Sequence, residues 1–255
     1  MTNILFRVDA NQTVGLGHLQ RCISLAKALE TLDVNSIFLT YNRSEAISRI
    51  KRFGLEVCEL TISDLWDEQD SAFTVDLASE RECDAIVVDS YMANSEYMSS
   101  ISNNNLVTCV IDDMASYSYP CQVVVNGNLN AKELSYLPTS VDTLFLLGPQ
   151  YLMLREEFSD KSDFVVRPTV HNILVVLGGS DSLELMPGIL SMLDNMQSDF
   201  VINAIIGPFA NNEQNVSLKE PKAPPEVTKS QTYFGMSPSP CTEPQRLKLF
   251  WSILG

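Results

Sequence analysis

The chain is short of positive charge, with 17 Lys and Arg against 32 Asp and Glu and a formal net charge of −15 at pH 7. That shortage argues against a nucleic-acid duplex or an anionic membrane surface as partner, because both are held by clustered Lys and Arg. A small phosphorylated ligand remains open, since one loop can hold it in an acidic protein. Histidine is scarcer still: two in 255 residues exclude a multi-histidine metal centre. The six cysteines, at 22, 58, 83, 109, 121 and 241, contain no CxxC spacing, so neither a zinc site nor a disulfide frame is expected. They read as reduced thiols of a cytoplasmic protein. No apolar run approaches the roughly 18 residues of a membrane span, so no membrane insertion is expected. The N-terminus carries no basic region ahead of an apolar stretch, so no secretory signal is expected either.

What is present is a globular mixture, 45% hydrophobic and 19% charged, able to bury a core. Its composition shifts near residue 211. Five of the 17 basic residues, only four of the 32 acidic ones and six of the twelve prolines follow residue 210. Proline at that density, as in Glu220–Pro225 and Ser237–Pro240, is incompatible with a regular helix or central strand. Residues 211–255 are therefore expected to be a disordered tail, the interrupted or frame-shifted remnant of a longer domain.

The first 210 residues alternate between strand and helix signals. Ile4–Val8, Ser36–Tyr41, Leu55–Leu60, Ala85–Val88 and Leu106–Ile111 are short apolar runs without strict alternation, as expected for parallel strands covered on both faces. Helical patterns follow at His18–Leu32 and Ser44–Phe53. The acidic stretch from Asp64 to Asp84 carries helical elements and reads as a solvated surface. A second unit starts with the run Asn172–Leu177, passes through an apolar helical segment at Leu183–Met196 and re-enters a strand at Phe200–Ile206. The prediction is an α/β protein with two doubly wound domains, the second incomplete. The domains are expected at 1–160 and 169–210, joined by a polar linker at 161–168.

In open α/β sheets, ligands bind beyond the carboxyl ends of the strands. Polar residues collect at four such places: Arg7 to His18, Asp89 to Tyr91, Asp112–Asp113, and Gly178 to Asp181. In the first, Gly15 and Gly17 allow a tight turn and His18 opens a helix. A helix N-terminus disfavours imidazolium, which leaves a neutral ring able to accept a proton. The pattern is GxGH rather than GxGxxG, and no acidic residue is suitably placed after the second strand, so a nicotinamide fingerprint is not supported.

The series Arg7-Val-Asp9-Ala-Asn11, Val14-Gly-Leu-Gly-His-Leu-Gln-Arg-Cys22 and Leu25-Ala26 resembles the opening of the UDP-2,4-diacetamido-2,4,6-trideoxy-β-L-altropyranose hydrolases of pseudaminic acid biosynthesis. Val88-Asp-Ser-Tyr91, Ile111-Asp-Asp113, the stretch Val125–Ala131, Leu154–Phe158 and Gly178-Gly-Ser-Asp181 continue the likeness in order. The family resemblance implies a GT-B fold, related to the lipid II N-acetylglucosaminyltransferase, with the nucleotide held mainly by the C-terminal half. Beyond about residue 211 the likeness fades.

By that resemblance His18 is the general base that deprotonates water for attack at the anomeric carbon, releasing UDP and a free sugar. The departing diphosphate needs little acid help, so no metal and no cofactor is expected, and the chain has no DxD. Asp9, Gly15, Gly17, Arg21, Tyr91 and Arg155 are expected to bind substrate, and Gly178, Gly179, Ser180 and Asp181 to face the nucleotide. Each has a structural alternative. Asp9 is either a turn cap or a partner of His18 or substrate, and Arg21 either meets diphosphate or pairs with an acidic neighbour. Tyr91 either bonds the substrate or packs on the next loop, Asp112–Asp113 cap a turn, and Arg155 clamps the domains or forms a surface ion pair. His171 is expected to be exposed and structural. The partners implied are a UDP-sugar and functional association with other enzymes of nonulosonate synthesis. A GT-B glycosyltransferase of surface or spore-coat polysaccharide and an inactive truncated relic are the alternative readings.

Overall fold

Seven short apolar runs line up in parallel because each is followed by a crossover long enough to return the chain to the same edge. In the computed structural model they are β1 (Thr2–Val8), β2 (Val34–Tyr41), β3 (Glu56–Leu60), β4 (Ala85–Asp89), β5 (Val107–Ile111), β6 (Val123–Asn126) and β7 (Leu144–Leu147). They form one sheet in the order β3-β2-β1-β4-β5-β6-β7. The described residues are 2–207 without 12–13, 42–43, 63–64, 104, 138–141, 159–164 and 197–199. The expected tail at 211–255 and the first half of the expected linker lie outside them. The strands β6 and β7 extend the sheet beyond the five predicted, four residues each being too short to carry a periodicity of their own.

Helices α1 (Gly17–Glu30), α2 (Ser44–Arg52), α3 (Glu68–Glu80) and α4 (Ser95–Ser102) supply crossovers of this sheet. The α1 helix buries Leu19, Cys22, Ile23, Ala26 and Leu29, a stripe at helical spacing. The α3 helix starts where Asp67 accepts hydrogen bonds from the Gln69 and Asp70 amides, and α4 where Asn94 accepts from the Tyr97 amide. All five residues of β4 are buried, as a central strand covered on both sides requires. The order of the sheet reverses between β1 and β4: β1 continues outward through β2, whereas β4 continues the other way through β5. That reversal opens a crevice at the carboxyl ends of β1 and β4.

The acidic stretch is not simply a solvated surface. Asp70 is 0% exposed and takes both Nε (2.9 Å) and Nη2 (2.7 Å) of Arg7, itself 0% exposed. The Trp66 ring covers the guanidinium at 4.0 Å, and the Trp66 amide and Tyr97 hydroxyl also donate to Asp70. Burial pushes the Asp70 carboxyl up, but the Arg7 hydrogen bonds outweigh it and hold the group below its ordinary range. This buried pair pins α3 to the middle of the sheet.

The chain divides into two compact units, one of residues 2–10 and 18–158, the other of Asn11–Gly17 and 165–207. In the second unit β8 (Asn172–Val176) and β9 (Val201–Ile205) pair in parallel, with α5 (Met186–Asp194) as the connection. Val175, Met186, Leu190 and Ala204 form its small core. Asp181 accepts from the Leu185 and Met186 amides and so caps α5. A Cβ at Gly207 would stand 2.4 Å from the Gly178 and Gly179 carbonyl oxygens, so only glycine fits where these loops touch.

Candidate active site

The carboxyl ends of β1, β4, β5 and β6 carry His18, Asp89, Asp113 and Asn128 to one polar cluster in the first unit. His18 lies one residue inside α1, which begins at the end of the loop from β1. In that loop Gly15 takes a left-handed φ of 77° while its amide donates to the Asn11 carbonyl at 2.7 Å. Gly17 has no such requirement: it opens α1 with open space where a Cβ would be. The tight turn expected of both glycines belongs to Gly15.

Asp89 closes β4 and is the anchor of the cluster. Its Oδ1 lies 2.6 Å from His18 Nδ1, and its two oxygens accept from Arg21 Nη2 and Nε at 2.6 Å each. Burial pushes the Asp89 carboxyl up, but the hydrogen bonds from Arg21 and His18 outweigh it and hold the group ionised, below its ordinary range. A carboxylate only accepts, so Nδ1 carries the proton and Nε2 has the free lone pair. Arg21 Nη2 also lies 3.1 Å from Nδ1, but two donors cannot bond each other and the shorter contact to Asp89 sets the tautomer. Nε2 has no hydrogen-bond partner among the described residues.

Arg21 is fully engaged. Its Nη1 donates to both oxygens of Asp113, at 2.9 and 2.8 Å, while the rest of the guanidinium holds Asp89. Arg21 thus pairs with acidic neighbours at the ends of two strands. Asp113 also accepts from Tyr91 Oη at 2.9 Å and from Asn128 Nδ2 at 2.9 Å. Tyr91 is 61% exposed, and its ring meets the His18 ring edge to face at 4.4 Å between centroids. Partial burial, then the bond to Asp113, push its phenol up to about 12, so the hydroxyl stays protonated. Behind Asp113, Asp112 accepts from Tyr119 and Tyr136 at 2.6 Å each and from the Met114 and Ala115 amides. Asp112 is a turn cap as expected, but Asp113 is part of the site.

Asp9 points elsewhere. It pairs with Arg7 Nη1 at 2.9 Å and accepts from the Tyr41 amide at 2.7 Å, so it ties β1 to β2 and does not meet His18. Arg155 stands beside Glu157 at 3.9 Å and over the Phe158 ring. Gly178, Gly179, Ser180 and Asp181 form the loop from β8 to α5 in the second unit, Gly178 with a φ of 72°. His171 is exposed and meets Thr169 at 2.8 Å. Among the described residues no group of three or more His, Cys, Asp and Glu is arranged to hold a metal ion. No helix among them is long and apolar enough to cross a membrane.

Sequence reasoning missed Asp89 as the partner of His18 and Asp113 as the partner of Arg21. The signal available was an acidic residue at the end of the strand that the reversed order places beside β1.

The comparisons agree with the α/β fold. No family model matches the chain. An uncharacterized protein of Methanocaldococcus jannaschii is 28% identical over 209 residues, covering 78% of this chain and 41% of that one. A UDP-2,4-diacetamido-2,4,6-trideoxy-β-L-altropyranose hydrolase of Campylobacter jejuni is 24% identical over 193 residues, covering 74% of this chain and 65% of that one. The chain therefore spans less than two thirds of the length of either curated relative. Among solved structures, a glycosyltransferase from Rickettsia africae superposes with a TM-score of 0.51 at 14% identity, covering 80% of this chain and 60% of that one. The fold class is α/β of the GT-B kind, its second domain represented here by β8, α5 and β9.

Proposed function

We propose that this chain processes a nucleotide-activated sugar, and that it hydrolyses a UDP-linked diacetamido-trideoxy sugar to UDP and free sugar. The observation that carries the reading is the Asp89–His18 pair, 2.6 Å apart at the sheet reversal, with Nε2 left to accept a proton. The name of the Campylobacter jejuni relative supplies the substrate class. Water attacks the anomeric carbon as Nε2 takes its proton. The bond from that carbon to the diphosphate oxygen breaks, and its electron pair leaves with UDP. Asp89 stabilises the imidazolium that forms without itself being protonated. The leaving oxygen is weakly basic, so one base suffices. Tyr91 flanks the imidazole with its hydroxyl hydrogen directed to Asp113, leaving the phenolic oxygen to accept from a substrate hydroxyl or amide. In this reading the Gly178–Asp181 loop faces the nucleotide.

A transferase is the second reading, favoured by the likeness to the Rickettsia africae glycosyltransferase. The same base would then take its proton from an acceptor hydroxyl. Incubation with the UDP-sugar and no acceptor separates the two: a hydrolase releases UDP and free sugar stoichiometrically, whereas a transferase leaves the donor intact.

A further inference from the structure

The polar cluster holds more charge than a base and its partner need. Asp89 already orients the imidazole, yet Arg21 also takes both of its oxygens, through Nη2 and Nε at 2.6 Å each. A guanidinium paired this closely cancels the charge of Asp89. A cancelled carboxylate still fixes the tautomer, but it offers an imidazolium little attraction. With Asp89 as its sole partner, Arg21 would make His18 a weaker base.

Arg21 has a second partner. From the turn after β5, Asp113 takes the remaining nitrogen of the same guanidinium, Nη1, with both oxygens, at 2.9 and 2.8 Å. The Arg21 and Asp113 side chains are 23% and 16% exposed, so water screens the pair only in part. Tyr91 and Asn128, which hold Asp113 at 2.9 Å each, are neutral donors that fix it without cancelling its charge. Two carboxylates thus flank one guanidinium, and the three groups carry one net negative charge. The other groups packed here are uncharged. The Tyr91 ring meets the imidazole edge to face, and Cys22, 3.5 Å from Asp89 Oδ2, is a thiol whose pKa burial pushes up. No further charged side chain is bonded to His18, Asp89, Arg21 or Asp113 among the described residues. When Nε2 takes a proton from water, the cluster passes from one negative charge to neutral. Without Asp113 it would pass from neutral to one positive charge in a buried site, the costlier change.

We infer that Asp113, acting through Arg21, offsets the guanidinium charge and so sets how readily His18 takes up a proton. It is a positioning residue, because it reaches the base only through Arg21. The inference rests on the hydrolase reading above, in which His18 is the base, and deepens it by naming the residue that tunes that base.

Proton NMR titration of the imidazole C2 signals, on the 255-residue chain without substrate, tests it. The sequence holds two histidines, so His171→Gln assigns the His18 signal. Asp113→Asn should move the His18 midpoint down by roughly one pH unit, the scale on which a neighbouring charge acts. Arg21→Gln should move it up by a similar amount. The double variant restores one net negative charge and should bring the midpoint back near that of the parent. The acid limb of the kcat/KM profile for UDP release should follow the same shifts. Thermal melts check folding, and if Asp113→Asn melts early, the upward shift in Arg21→Gln carries the comparison. A merely structural role would move both single variants in one direction and the double variant further. That pattern, or a midpoint unmoved by either substitution, would overturn the inference. Shifted midpoints without UDP-sugar turnover would count against the hydrolase reading alone. Turnover with unmoved midpoints would count against the role of Asp113 alone.

Discussion

His18 Nδ1 and Asp89 Oδ1 lie 2.6 Å apart although 71 positions separate the two residues in the chain. The sheet order brings them together, because β1 and β4 are neighbours and both end at the crevice where the order reverses. Asp89 thereby fixes which imidazole nitrogen carries the proton.

This pairing makes the consequences of two substitutions alike. On the proposed mechanism His18→Asn removes the base and should lower turnover roughly 10²–10⁴-fold. Asp89→Asn keeps the shape but presents an amide that can donate to Nδ1, placing the proton on Nε2, and should lower turnover by a similar factor. The double variant should be little worse than either single one, because the residues act as a unit. Multiplying losses in the double variant would break the link between them.

The buried Arg7–Asp70 pair should matter for stability and not for chemistry. Asp70→Asn leaves the Arg7 charge buried without its carboxylate and should cost about 3–5 kcal/mol in urea unfolding. Asp76→Asn, on the exposed side of the same α3 helix, should change stability by less than about 0.5 kcal/mol. Equal effects would mean that Asp70 is hydrated in solution.

These two acids show where the sequence was legible. The strand runs and the GxGH turn are local patterns, and local patterns announced the α/β order, the five main strands and His18. Asp70 sits in a charged stretch whose composition resembles a solvent-facing helix; its burial depends on Arg7, 63 positions earlier. The His18–Asp89 and Arg21–Asp113 pairings likewise depend on which strands become neighbours, and hydrophobic periodicity does not encode that. The four-residue strands β6 and β7 were missed for want of length.

Acid should unfold the protein through these same carboxylates. Asp70 and Asp89 both have pKa values lowered in the folded state. Their contribution to stability is therefore fully present above the unfolded value of about 3.9 and is lost as pH falls through the lower folded values. Unfolding free energy measured between pH 5 and 2, a window of roughly this span, should fall with pH. The slope should be shallower in Asp89→Asn, which has one fewer depressed carboxylate.

Tyr91 gives a spectroscopic reading of the Asp113 contact. With its phenol pushed up to about 12, Tyr91 should remain un-ionised through the pH range in which an ordinary tyrosine titrates, near 10. Difference absorbance against Tyr91→Phe isolates its titration. Asp113→Asn removes the charged acceptor and should move that titration down toward the ordinary value. A Tyr91 that titrates near 10 in the parent would show that the hydroxyl is not held by Asp113.

Where water attacks, and which residue takes its proton, can be read together. The chain and its His18→Asn variant are incubated with UDP-2,4-diacetamido-2,4,6-trideoxy-β-L-altropyranose in ¹⁸O-water, without acceptor, and the released UDP is weighed by mass spectrometry. The UDP is the product to read, because a free anomeric hydroxyl exchanges with solvent. Attack at the anomeric carbon with His18 as base predicts unlabelled UDP from the parent and roughly 10²–10⁴-fold slower release from the variant. Label in the UDP phosphate, release that is unchanged in His18→Asn, or no release at all would contradict the account.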